Sequence, residues 1–102
     1  MIYEQRIYRV ASAKRRGFIE FFGETVVPLL TKYGARVIGV WETIIGERTN
    51  VVCLLAYKDM TERMKCWDAF EKDTEFNKHT STLPQESVSV SILKPTRHSP
   101  LQ

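Results

Sequence analysis

Residues 37–57, VIGVWETIIGERTNVVCLLAY, limit the folds open to this chain more than any other stretch. Val37–Ile45 is rich in β-branched residues, carries Trp41 and alternates only partly, whereas Val51–Tyr57 is a near-continuous apolar run. Between them Gly46-Glu47-Arg48-Thr49-Asn50 is polar, with glycine at one end and asparagine at the other. That is the composition of a hairpin loop. Two strands folded back on each other are expected, and the other segments are placed around them.

Upstream, IYEQRIYRV at residues 2–10 has no Gly or Pro and reads as a strand. Glu4, Arg6 and Tyr8 share one face of it and Tyr3, Gln5, Ile7 and Arg9 the other, so neither face is cleanly apolar. Ser12 is a candidate N-cap. From Lys14 to Tyr33, apolar residues recur at Phe18, Phe21, Phe22, Val26, Leu29, Leu30 and Tyr33, a helical stripe. Pro28 lacks an N–H and crowds the carbonyl of Glu24, which predicts a kink or break near Val27. Gly34 then sits where a left-handed residue would close the helix. The basic run Lys14-Arg15-Arg16 at the helix start is expected to face water, with anion binding as the alternative.

Downstream, Asp59 with Glu62 three residues later forms a capping box. Met60, Met64, Trp67 and Phe70 are expected on the core face of the helix that follows, which runs through Lys72. Residues 73–84 read as a loop with room for one helical turn around Glu75–His79. Ser87–Leu93, SVSVSIL, alternates strictly, with Val88, Val90 and Ile92 on one side and Ser89 and Ser91 on the other. The order βαββαβ predicts an α+β, ferredoxin-like domain with a four-stranded antiparallel sheet over residues 2–94. Residues 95–102, with Pro95 and Pro100, are expected to be an extended or disordered tail. Both helices would cover one sheet face, and a second copy would cover the other, pairing as a dimeric α/β barrel.

The 102 residues carry a net charge of +3, scattered along the chain, so no nucleic-acid partner is expected. No apolar run approaches membrane-spanning length, and the charged N-terminus is unlike a secretory signal. Cys53 and Cys66 fall within predicted elements and form no CxxC pair, which suggests buried, reduced thiols. A cytoplasmic protein is the expectation.

The segments IYEQRIY, VVPLLTKYG, GVWETIIGERTNVVCLLAY and DMTERMKCWDAF resemble the NIPSNAP family, within the larger dimeric α/β-barrel group. The resemblance runs from Ile2 to Leu93 and rests on Glu4, Arg6, Pro28, Gly34, Gly39, Trp41, Gly46, Tyr57, Arg63, Trp67 and Phe70. Cys53, Leu55 and Phe76 depart from it, standing where relatives often carry larger or aromatic groups. It implies a ferredoxin-like subunit that dimerises through its sheet. It implies little about chemistry, since the family's biochemical role is poorly defined and the wider group includes cofactor-free monooxygenases.

Conventional catalytic constellations are missing. His79 and His98 serve no nucleophile motif and make a poor metal set, and there is no phosphate-cradling glycine loop, so no cofactor and no metal are expected. What remains is the polar face of the first strand. Packing Tyr3, Gln5 and Ile7 against the helices would turn Glu4, Arg6 and Tyr8 into the dimer barrel. There they would meet Trp41, Thr43, Tyr57, Ser89 and Ser91 in a candidate small-molecule pocket. The competing explanation is that Glu4 and Arg6 simply pair with each other. Two functions are therefore expected: a small-molecule-binding or interaction module, or a cofactor-free enzyme, monooxygenase- or isomerase-like, acting on a small aromatic or polyketide-like substrate.

Overall fold

A computed structural model describes residues 1–74 and 85–102, so the expected turn around Glu75–His79 lies outside the described residues. Strand β1 (Ile2–Val10) leads through a 3-10 turn (Ser12–Lys14) into a long helical segment. That segment comprises α1 (Arg15–Phe21), a π-helical turn (Phe22–Val26) and α2 (Val27–Lys32). The hairpin is β2 (Arg36–Glu42) and β3 (Asn50–Tyr57), followed by α3 (Met60–Glu71) and β4 (Gln85–Leu93). The sheet order is β2-β3-β1-β4, with the β1–β3, β1–β4 and β2–β3 pairs antiparallel, the α+β ferredoxin-like plan. Among the described residues no helix is long and apolar enough to cross a membrane.

Near Pro28 the helical run does not break as expected; it widens into a π-helical turn and continues. The Val27 N–H donates to the Phe22 carbonyl five residues back, which widens the turn just before the proline. The widened turn gives room to carbonyls that the pyrrolidine ring would otherwise crowd. The helix ends on Gly34 at φ 104°. There Ala35 N–H reaches the Leu30 carbonyl at 2.9 Å and Gly34 N–H the Thr31 carbonyl at 3.1 Å, a Schellman motif. At the other end, Ser12 lies inside the 3-10 turn and the cap position is Ala11, with no side-chain hydrogen bond. Arg15 of the basic run donates to the Arg48 carbonyl, tying the helix start to the hairpin loop.

The hairpin is shorter than its composition predicts. β3 begins at Asn50, so beyond Glu42 only the Thr43 N–H reaches it, at the Asn50 carbonyl, and Ile44 and Ile45 are left 80% and 92% exposed. A bulge between Val37 and Gly39 resets the register, which puts both Val37 and Val40 on the side of Leu55 and Cys53. That bulge is why the alternation in this strand is imperfect. Gly39 then lies under Trp41: a Cβ there would stand 2.5 Å from the indole.

The core lies between the helices and one sheet face. Tyr8, Val10, Val51, Cys53, Leu55 and Tyr57 meet Phe18, Phe22, Val26, Leu30, Cys66 and Phe70. Tyr8, Phe18 and Phe22 form a triangle with ring centroids 5.2–5.7 Å apart. Asp59 caps α3, its carboxylate accepting from the Glu62 N–H at 2.9 Å. The buried stripe on α3 differs from the expected one: Met60 and Met64 are exposed, while Cys66 and Phe70 are buried. The inward face is rotated towards Arg63, Cys66 and Trp67, because Arg63 has a partner beneath it. The segment after β4 holds a turn in which Ser99 N–H donates to the Thr96 carbonyl at 3.0 Å.

Replacing Gly34 with alanine should test the helix stop. A Cβ meets open space there, so the cost is the left-handed backbone alone, roughly 1 kcal/mol. Urea unfolding should show a lowered midpoint with an unchanged slope; an unchanged midpoint would contradict the assignment.

Candidate functional site

β1 is the central strand on which the site is built. Register places Glu4 opposite Leu55, Arg6 opposite Cys53 and Tyr8 opposite Val51 on β3. Directly opposed residues share a face, so Glu4, Arg6, Tyr8 and Tyr57 all point to the helix side. Trp41 opposes Val52 and therefore lies on the far face, with Tyr3, Gln5, Ile7, Leu54, Ser89 and Ser91. Thr43 follows the end of β2, its N–H 3.4 Å from the Asn50 carbonyl. The expected pocket is thus split by the sheet. Glu4, Arg6, Tyr8 and Tyr57 come together under the helices, Trp41 and Thr43 do not join them, and Glu4, Arg6 and Tyr8 do not face the uncovered side.

The reason is a partner that apolar periodicity passes over. Arg63 on α3 reaches down and grips Glu4 with both arms, Nε to Oε1 at 3.0 Å and Nη2 to Oε2 at 3.1 Å. Arg6 Nη1 approaches Oε2 at 2.6 Å, and the Tyr57 hydroxyl donates to Oε1 at 2.8 Å. Trp67 Nε1–H donates to the Tyr57 hydroxyl at 2.8 Å and more weakly to Glu4 Oε1 at 3.3 Å. Arg6 Nε donates to the Tyr8 hydroxyl at 2.7 Å, and its guanidinium carbon lies 4.3 Å from the Trp67 ring centre. One fully buried carboxylate is therefore held by two guanidinium groups, a phenol and an indole.

Protonation follows from these contacts. Burial opposes ionisation of Glu4, but the hydrogen bonds from Arg63, Arg6 and Tyr57 outweigh it and hold the carboxyl below its ordinary value. Burial also opposes the charge on Arg6; its contacts with Tyr8 and Glu4 more than offset that and strengthen its basicity. Tyr8 is pushed up to about 12 by burial, with Arg6 pulling the other way. Tyr57 is raised by burial and by its bond to Glu4. Cys53, beneath Arg6 in the sheet, is pushed up to about 12 by burial and remains a thiol.

The cluster is closed below and open at the side. A cleft of about 340 Å³ is lined by Arg6, Arg63, Met64, Trp67, Asp68 and Glu71. Both Arg6 and Arg63 line it, with side chains 13% and 23% exposed. Arg63 and Trp67 are functional neighbours that the periodicity argument missed or assigned to packing. A usable signal did exist: a strand with Glu4 and Arg6 facing inward needs a polar partner, and Arg63 lies one turn before Trp67.

A second hollow, about 390 Å³, opens on the far face between Tyr3, Leu54 and Leu93 and the segment carrying Pro95, Thr96 and Leu101. Its walls are mainly apolar, and it contains none of the candidate-pocket residues picked from the sequence.

A model of the NIPSNAP family matches residues 3–100. No curated protein matches the chain. Among solved structures, an uncharacterized NIPSNAP domain protein from Burkholderia xenovorans is 26% identical, with a TM-score of 0.88 over 98% of this chain and 99% of that one. A NIPSNAP family protein from Agrobacterium tumefaciens strain C58 is also 26% identical, with a TM-score of 0.92 over 99% and 98%. A putative antibiotic biosynthesis monooxygenase from Nitrosomonas europaea shares the fold at 15% identity and a TM-score of 0.70, over 93% and 98%.

Acid stability should report the Glu4 network. Glu4 has a native value below its ordinary 4.5, so its stabilising contribution is complete above that value. That contribution is lost as pH falls through the lowered native value. Glu4→Gln should cost about 3 kcal/mol at neutral pH by leaving two arginines uncompensated. Thermal melts from pH 7 to 2 should show that the variant lacks this acid-sensitive component; parallel curves would refute the assignment.

Proposed function

The chain belongs to the NIPSNAP family, and on that premise we propose that it works as a homodimeric small-molecule-binding module. The ligand site in each subunit is the cleft between α3 and the sheet. The observation that carries this reading is the 340 Å³ cleft floored by Arg6, Arg63 and Trp67, which are held in place by a carboxylate with no exposure of its own. Four of the six residues lining the cleft are charged, with Trp67 and Met64 as its apolar part, and donors held in place beforehand reduce the ordering cost of binding.

Protonation states favour binding over acid–base chemistry. Tyr8 at about 12, Tyr57 above its ordinary value and Glu4 below its own each keep one protonation state around neutral pH. A general acid or base works best with a value near the operating pH. Buried free thiols at Cys53 and Cys66 suit a reducing, cytoplasmic setting.

Dimerisation would use the far sheet face. Ile7, Val52 and Leu54 lie there with half-exposed Trp41 and no helix above them. A face of this kind is usually covered by a partner, and a second copy closes it with two-fold symmetry.

Two measurements check the proposal. Light scattering should give twice the 11.9 kDa chain mass, and Trp41→Glu should yield a folded monomer; a wild-type monomer would overturn the dimer. A fragment screen followed by the Trp67 indole N–H resonance, assigned by Trp41→Phe, should show saturable shifts without turnover. Oxygen consumption or product formation that Arg6→Lys abolishes would instead establish an enzyme.

A further inference from the structure

We infer that the α3 cleft selects a small organic monocarboxylate, gripped by the outward ends of Arg6 and Arg63; this rests on the cleft being the ligand site. The first support is the hydrogen-bond inventory. Arg6 spends Nε on Tyr8 and Nη1 on Glu4, and Arg63 spends Nε and Nη2 on Glu4. Among the described residues, that leaves Arg6 Nη2 and Arg63 Nη1 without a protein acceptor. Among the described residues no buried side-chain nitrogen lacks a partner, so these two ends lie at the surface rather than inside.

The second support is the geometry of the donors. Within the buried cluster two guanidinium groups share one carboxylate, so each keeps an outward end for a further acceptor. Guanidinium groups bind planar carboxylates with charge-assisted hydrogen bonds. Neither arginine can swing away freely. Arg63 is fixed by its fork on Glu4, and Arg6 by Tyr8, Glu4 and the Trp67 face. The donors are therefore preorganised and the entropic cost of binding is reduced.

The third support sets the valence. Asp68 and Glu71 line the same cleft and repel a multiply charged anion such as phosphate more than a singly charged one. The side chains of Trp67 and Met64 supply the apolar wall for the rest of the molecule.

Benzoate, its neutral isostere benzamide and inorganic phosphate are the probes, read by the Trp67 indole N–H resonance of the intact protein. Benzoate should bind saturably, with benzamide and phosphate each weaker by about tenfold or more. Arg63→Lys, confirmed folded by its melt, should weaken benzoate about tenfold because the outward Nη1 donor is lost. Asp68→Asn lies outside the Glu4 network and should tighten benzoate about threefold by removing repulsion. Equal binding of benzoate and benzamide would overturn the carboxylate assignment while leaving the cleft as a small-molecule site. Tighter phosphate binding, or indifference to either substitution, would also overturn it. No response to any probe or fragment would remove both the carboxylate assignment and the cleft itself.

Discussion

A carboxylate with no solvent exposure sits under α3, and the arrangement of the rest of the domain follows from keeping it charged. Placing an ion in a protein interior costs several kcal/mol unless partners replace its water. Glu4 receives five hydrogen bonds, from Arg6, Arg63, Tyr57 and Trp67, so both oxygens are satisfied. Those partners come from β1, β3 and α3. Losing any one of them would leave a charge or a polar group stranded. The network thus sets which face of α3 looks inward and how far along the sheet it lies.

That requirement explains features that otherwise look like faults. α3 leaves Met60 and Met64 in water because turning them inward would pull Arg63 and Trp67 off Glu4. β1 has no purely apolar face because its inner face carries the ion pair among Tyr8 and Val10. The aromatic triangle of Tyr8, Phe18 and Phe22 packs beside the charged cluster and is joined to it by the Tyr8 hydroxyl. Packing and polar satisfaction meet at that hydroxyl.

The sequence makes much of the fold legible, and much less of the site. Strands and helices follow from signals whose physics is local: Pro28 after a widened turn, Gly34 at positive φ, Asp59 as a cap. The hairpin loop was misplaced by a few residues because β-branched Ile44 and Ile45 carry strand propensity with no partner strand to meet. The direction of β1 was not readable at all from its own residues. With charged and apolar groups on both faces, parity cannot be decided within the strand. It is decided by Arg63, which lies 59 residues downstream of Glu4, in a helix whose apolar spacing hides it. Glu4, Arg6, Tyr8 and Tyr57 do come together, but on the helix side of the sheet rather than the uncovered side. Arg63 and Trp67 are among the positions that carry the family resemblance.

The coupling between Glu4 and Arg63 holds the buried cluster together. A double-mutant cycle with Glu4→Gln and Arg63→Met, followed by urea unfolding at neutral pH, isolates that term. A shared buried network predicts that the two costs overlap, with an interaction energy of about 2 kcal/mol. Additive costs, within about 0.5 kcal/mol, would mean that the carboxylate and the guanidinium act independently, and would contradict the account.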